Sequence, residues 1–143
     1  MEELERARRC AATMVANDRS SQALGIDIDV PEPATAIATM CVREDMLNGF
    51  GICHGGLVFT LADTAFAFAS NAYDDLTVAA SANIDFLRPS RLGDTLRAVA
   101  REDRRGRRNS FYTVEIHNQD DELIAIFRGR SVSRGESILD TQK

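Results

Sequence analysis

An apolar run over residues 56–72 contains Leu57, Val58, Phe59, Leu61, Ala62 and Phe66 with few polar breaks. Its polar members, Thr60, Asp63, Thr64, Ser70 and Asn71, recur at steps of three, four and seven. That spacing makes one narrow stripe on a helix that is otherwise buried. Residues 1–16 predict a second helix, with Leu4, Ala7, Ala11 and Met14 on one face, acids first and arginines later. Residues 25–30 and 35–42 read as short strands broken at Pro31 and Pro33. Four further strands follow the central helix, over 76–87, 94–102, 110–117 and 123–132. They are separated by short stretches with turn chemistry at 89–93, around Gly106 and at 118–122, and such links favour antiparallel neighbours. The pattern predicts one α+β domain spanning 1–143, an antiparallel sheet wrapped around a central helix at about 55–72. In 76–87 strict alternation would put Val78, Ala80, Ala82, Ile84 and Phe86 on one face and Ser81, Asn83 and Asp85 on the other.

The candidate chemistry sits where the central helix begins. Asn48-Gly49-Phe50-Gly51-Ile52-Cys53-His54-Gly55-Gly56 leads directly into the apolar run. A helix start leaves backbone N–H groups free at the positive end of its dipole, where they can hold an oxygen on which charge develops. Glycine at 55 and 56 lets a ligand approach that backbone closely. Asn48 and His54 add side-chain hydrogen-bonding groups on the approach, and Asp63 supplies a carboxylate. A carboxylate on a buried helix is costly unless it is paired or employed, and here employment in an acyl-transfer site is the better reading. Thr60 and Thr64 are expected to temper the effect of burial on it. Phe50, with Phe59 and Phe66 as further candidates, would wall an apolar acyl pocket, although Phe59 and Phe66 fit equally well as core.

Spacing constrains the arrangement further. Asp63 lies eight residues beyond Gly55, roughly 12 Å along a helix axis. A base and an oxyanion donor must each lie about 3 Å from one reacting group. Asp63 therefore cannot readily serve the start of its own helix. A two-fold dimer with antiparallel helices solves this, each Asp63 facing the partner's helix start. The expectation is an obligate homo-oligomer with sites shared between chains.

Composition excludes several classes. A net charge of −5 argues against general nucleic-acid binding. Asp63, costing about 2.5–3.5 kcal/mol at a bilayer centre, argues against reading the apolar run as a membrane span. Three cysteines at irregular spacing and a charged, helical N-terminus instead of a secretory signal point to a reducing, cytoplasmic setting. Cys53 beside His54 lacks an orienting third group and reads as a packed cysteine, and two histidines without a ligand cluster predict no metal. Arg97, Arg101, Arg104, Arg105, Arg107 and Arg108 crowd one hairpin, which reads as a solvated turn before a phosphate clamp.

The spacing Asn48…His54-Gly55-Gly56…Asp63, followed by Asp85-Phe86-Leu87-Arg88-Pro89 and Gly93-Asp94, resembles the hotdog-fold acyl-CoA thioesterases. It is most similar to the phenylacetic-acid-degradation (phenylacetyl-CoA) type, over about residues 46–129. The resemblance implies hydrolysis of phenylacetyl-CoA or related, including hydroxylated, arylacetyl-CoA. No cofactor is implied beyond the coenzyme A of the substrate. In that family the glycine matching Gly55 donates the oxyanion N–H, and the aspartate matching Asp63 activates water or attacks the thioester. The asparagine matching Asn48 orients the reacting groups, and a serine of a related branch aligns with Ser81. The resemblance also suggests Gly56, Arg88, Arg128, Gly129 and Arg130 as contacts to the substrate or its coenzyme A, and a dimer of dimers. A hotdog hydratase or dehydratase and a non-catalytic acyl-CoA-binding protein are the alternatives.

Overall fold

The computed structural model describes residues 1–140. Helices α1 (Glu3–Asn17) and α2 (Arg19–Leu24) precede strands β1 (Asp27–Glu32) and β2 (Thr35–Cys41). A single 3-10 turn (Glu44–Met46) leads to the central helix α3 (Gly55–Ser70). Strands β3 (Thr77–Phe86), β4 (Thr95–Arg105), β5 (Asn109–His117) and β6 (Leu123–Ser133) complete the chain. All pairings are antiparallel, in one six-stranded sheet of order β1-β2-β4-β5-β6-β3. The expected α+β arrangement is present, with the sheet curved around α3.

Packing follows from the inward rows of the strands. Ala36, Ala38 and Met40 of β2 and Leu96, Ala98 and Ala100 of β4 are fully buried. The small alanines let α3 lie close to the sheet, and Leu61, Ala62, Ala65 and Phe66 fill the interface. Gly129 on β6 belongs to the same fit: a Cβ there would lie 2.9 Å from Phe66 Cζ. Beneath the other end of α3, the Glu102 carboxylate accepts hydrogen bonds from Tyr73 at 2.9 Å and Tyr112 at 3.0 Å. Helix α1 covers the remaining edge with Ala7, Cys10 and Ala11 buried, and Arg8 Nε donates to the Val30 carbonyl at 3.1 Å.

Two local features depart from the expected pattern. Helix α2 stands between Asp18, whose side chain accepts from Ser21 N, and Gly25 at φ 68°. Strand β3 is bulged between Ala79 and Ser81, so strict alternation fails there. Ala82 pairs with Gly129, and Ile84 with Phe127, on the α3 side, whereas Val78 pairs with Val132 on the opposite face. Val78 therefore does not share a face with Ala82, Ile84 and Phe86. The side chain of Asn71 joins α3 to β3: its amide donates to the Ala67 carbonyl at 2.9 Å, and its oxygen accepts from Thr77 N at 2.8 Å.

Candidate active site

The loop before α3 is held by its backbone. Asn48 N donates to the Ile52 carbonyl at 2.8 Å and Gly51 N to the Asn48 carbonyl at 3.1 Å, with Gly51 at φ 76° as this turn requires. Asn48 Oδ1 accepts from Phe50 N at 2.9 Å and from Ile52 N at 3.3 Å. Those two donors fix the amide orientation and leave Asn48 Nδ2 as an uncommitted donor. Cys53 N donates to the Ser90 carbonyl and His54 N to the Met46 carbonyl, both at 2.8 Å. The bonds within α3 then start from its third residue, with Leu57 N donating to the His54 carbonyl at 2.9 Å. Gly55 and Gly56 are left with free N–H groups at the positive end of the helix. A sequence of tethered backbone thus ends on two donors aimed outward.

A cleft of about 420 Å³ opens there, lined by Asn48, Gly55, Val58, Phe86, Ser90 and Ile124 among others. Its walls are mostly apolar, which suits an acyl group with its carbonyl at the helix start. Phe86 lies against Gly55: a Cβ on Gly55 would be 3.2 Å from Phe86 Cζ. Glycine is needed here for close approach, not for an unusual φ. Phe86, Leu87, Ser90 and Ile124 are lining residues that sequence reasoning missed. Their proximity to Gly55 depends on the pairing of Ile52 with Arg91 and on the Cys53–Ser90 bond, both between segments far apart in sequence.

Asp63 does not line this cleft. It is half-buried on the least covered stripe of α3, which also contains Gly56, Thr60 and Ala67. Its carboxylate has no hydrogen-bond or ion-pair partner among the described residues, and burial raises its pKa above 3.8. The threonines do not offset that rise. Thr60 Oγ1 donates to the Gly56 carbonyl at 2.9 Å, and Thr64 Oγ1 to the Thr60 carbonyl at 2.7 Å. Hydroxyls in a helix reach the carbonyl four residues back more readily than a neighbouring carboxylate.

This has a consequence for stability. With its folded pKa raised above the unfolded 3.8, Asp63 binds more protons folded than unfolded in the intervening range. Stability then falls as pH rises through that range, and the penalty persists at neutral pH. Asp63→Asn should therefore raise the thermal midpoint at pH 7, with the gain shrinking as the pH approaches 3.8. Melting curves across pH 3–8 check this; a neutral-pH loss of stability in the variant would contradict it.

The remaining sequence candidates fall in several places. His54 caps α3 by position, but its ring has no hydrogen-bond partner among the described residues, so backbone bonds and not its nitrogens fix the loop. Phe50 is 91% exposed at the loop tip, outside the cleft lining. Phe66 is core, tilted against Tyr112 and Phe127, and Phe59 packs edge-on to Phe127. Cys53 is buried, its thiol pKa raised by that burial. Arg88 lines the cleft and pairs with Glu122 at 2.9 Å. Ser81 lies on the far face of the sheet, accepting from Arg130 Nε at 3.3 Å. It shares there a second cleft of about 490 Å³ with Asn83, Phe111, Arg128 and Arg130. Within one chain, Ser81, Arg128 and Arg130 are thus not brought together with Gly55, and Gly129 serves packing. The second cleft lacks the free helix-start donors, so the α3 cleft is the candidate site. Among the described residues no three metal-ligating side chains converge, and no helix is long and apolar enough to cross a membrane.

A helix enclosed by an antiparallel sheet, with free N–H groups at its glycine start and a carboxylate two turns on, defines a hotdog-fold thioesterase. The thioesterase superfamily model matches residues 50–125, and the chain belongs to that family. It is 46% identical over 128 residues to the acyl-coenzyme A thioesterase PaaI of Escherichia coli K12, covering 90% of this chain and 91% of that protein. The solved structure of the E. coli PaaI protein from the phenylacetic acid degradation operon superposes with a TM-score of 0.93 at 43% identity, covering 95% of this chain and 99% of that one. The smu.793 protein of Streptococcus mutans, solved bound to acetyl-CoA, superposes with a TM-score of 0.75 at 28% identity, covering 78% and 90%.

Proposed function

We propose that this protein is an acyl-CoA thioesterase acting on phenylacetyl-CoA or a related arylacetyl-CoA, and that it works as a two-fold dimer whose sites are shared. The observation that carries the reading is the separation of two parts of one reaction. The free N–H group of Gly55 opens on an apolar cleft, while the unpartnered Asp63 carboxylate lies outside it. Strand β3 supports the dimer. It is a ten-residue sheet edge, exposed along most of its length, with Asp85 as its only charge. Natural edges that stay unpaired are usually short, charged or covered. Pairing β3 with its copy about a two-fold axis would continue the sheet and set the two α3 helices side by side, antiparallel. Asp63 of one chain would then approach the Gly55 cleft of the other.

In that arrangement the thioester oxygen accepts the Gly55 N–H, and the Asn48 amide donates to the carbonyl or the attacking water. Asp63 takes a proton from water as its oxygen bonds to the carbonyl carbon. The charge gathers on the oxygen held at the helix start. Collapse breaks the carbon–sulfur bond, and the departing thiolate of coenzyme A takes the proton back from Asp63. The products are a free acid and coenzyme A. A hydratase would need an oriented acid–base pair beside the carbonyl, and the unpartnered His54 ring offers no such pair. The arylacetyl preference rests on the similarity to PaaI and on a cleft walled by Phe86, Leu87 and Ile124.

Release of free thiol, measured across phenylacetyl, short-chain and long-chain acyl-CoA, tests the reading. Phenylacetyl-CoA should give the highest kcat/KM. Silence on every acyl-CoA would remove the hydrolase, and a tenfold preference for long chains would remove the substrate class.

A further inference from the structure

Asp94 does not line the cleft at the start of α3, yet both oxygens of its carboxylate are engaged. Oδ2 accepts from Arg91 N at 2.8 Å and Oδ1 from Gln119 Nε2 at 2.9 Å. The Asp94 N–H donates to the Arg91 carbonyl at 3.0 Å. Asp94 therefore closes the turn 91–94 once through its backbone and again through its side chain. Gly93 within that turn has φ 88°, which suits glycine at the third position. Gln119 is anchored in its own right, its Oε1 accepting from Thr95 N at 3.0 Å.

This turn supports the loop before α3. Arg91 pairs with Ile52 in an antiparallel bridge, and the Ser90 carbonyl accepts from Cys53 N at 2.8 Å. Cys53 is separated from Gly55 by His54 alone. The route is short: Asp94 holds Arg91 N, Ser90 and Arg91 hold residues 52 and 53, and these place Gly55. The other end of the same link is braced by the Arg88–Glu122 pair at 2.9 Å. Both braces come from the 118–122 turn, which Asn118 Oδ1 closes by accepting from Asp120 N and Glu122 N, each at 3.0 Å. Such exposed bonds add modestly to stability, because water replaces them in the unfolded chain. Their value in placing a donor is larger, since a shift of about 1 Å at a reacting group can cost about 10²-fold in rate.

We propose that Asp94 is a positioning residue for the reaction: through the 90–94 turn it sets where the Gly55 N–H meets the developing oxyanion, and Gln119 holds the carboxylate in place. The inference rests on the thioesterase reading above. Asp94 acts through a backbone donor whose partner gains charge only as the thioester is attacked. Its influence therefore falls on the transition state and not on substrate affinity.

The test measures kcat, KM and amide hydrogen exchange for Asp94→Ala, Asp94→Asn and Gln119→Ala, with Asp94→Ala made also on a Gly55→Pro background. Asp94→Ala should lower kcat about 10–10²-fold, the scale of a misplaced donor, and leave KM within about twofold. Asp94→Asn keeps an oxygen for Arg91 N and loses only the Gln119 bond, so it should recover to within about threefold of wild type. Gln119→Ala, at an exposed position, should likewise lower kcat about threefold. Gly55→Pro removes the donor being placed. On that background Asp94→Ala should change the residual kcat by less than about twofold, whereas a change that merely loosened the fold would lower both backgrounds alike. The Cys53 amide should exchange faster in Asp94→Ala than in wild type, a readout independent of turnover. An unchanged kcat, an effect confined to KM, an equal fall on the Gly55→Pro background or an unchanged Cys53 exchange rate would each overturn the assignment. Should Asp94→Ala fail to fold, Gln119→Ala decides: a lower kcat at constant KM with faster Cys53 exchange supports the proposal, and an unchanged kcat overturns it. Wild type inactive on every acyl-CoA, with Cys53 exchange still dependent on Asp94, would instead remove the thioesterase reading on which the proposal stands.

Discussion

Asp63→Asn and Asp63→Ala should each lower kcat on the preferred acyl-CoA by about 10²–10⁴-fold, the scale of a general base, while the protein stays folded. Asn keeps the shape of the side chain and loses only the ability to take the proton. Among the described residues no carboxylate of the same chain lines the α3 cleft, so none there stands ready to substitute for Asp63. The change should also separate activity from stability. The partnerless, half-buried carboxylate is a cost to the fold, so the same variant that loses turnover should melt higher at neutral pH. A merely structural aspartate would show the reverse pairing. The raised pKa of Asp63 further implies that wild-type kcat falls on the acid side at a pH above that of an ordinary aspartate. Steady-state kinetics with melting curves on the same preparations check this; either variant retaining more than half the wild-type rate would end the assignment of Asp63 as base.

Much of this arrangement was legible in the sequence, for identifiable reasons. The apolar run of α3 is a strong signal, and the glycine pair marks the helix start. Of the expected polar stripe only Thr60 and Asp63 lie on the less covered face, and Thr64, Ser70 and Asn71 are buried. The wide spacing of Gly55 and Asp63 required only the helical rise. What escaped detection depends on weak local preferences or on long-range contacts. Helix α2 is six residues long, too short for a periodicity to show, although Asp18 and Gly25 mark its ends. The bulge in β3 falls in Ala79-Ala80-Ser81-Ala82, where small residues have little preference for either face. The bulge moves Val78 off the α3 side, while Ser81 lies beside Arg130 on the face away from α3, where the alternation put it. The threonine hydroxyls beside Asp63 turned to their own helix because a carbonyl four residues back is always within reach. The cleft walls were hidden altogether. Phe86, Leu87 and Ser90 reach Gly55 only because the link between β3 and β4 is tied to the loop before α3.

The division of the site between chains is the central claim, and it can be tested by mixing two inactive proteins. One bears Asp63→Ala. The other bears Gly55→Pro, which removes the N–H at the helix start. Proline is well tolerated at the first helical position, and His54 already has φ −58° and ψ 132°, the extended backbone favoured before proline. Phe86, the side chain nearest an added Cβ, is 53% exposed and has room to move. Losing one oxyanion donor costs about 10²–10³-fold, so each parent should be nearly inactive alone. In a heterodimer, one site combines the intact Gly55 of the first chain with the intact Asp63 of the second, while the other site lacks both. Equal mixing with random exchange makes half the dimers mixed, each with one working site. Thiol release should therefore recover to about a quarter of the wild-type rate. Verified heterodimers as inactive as their parents would show that Asp63 serves its own chain, and the shared-site account would fail.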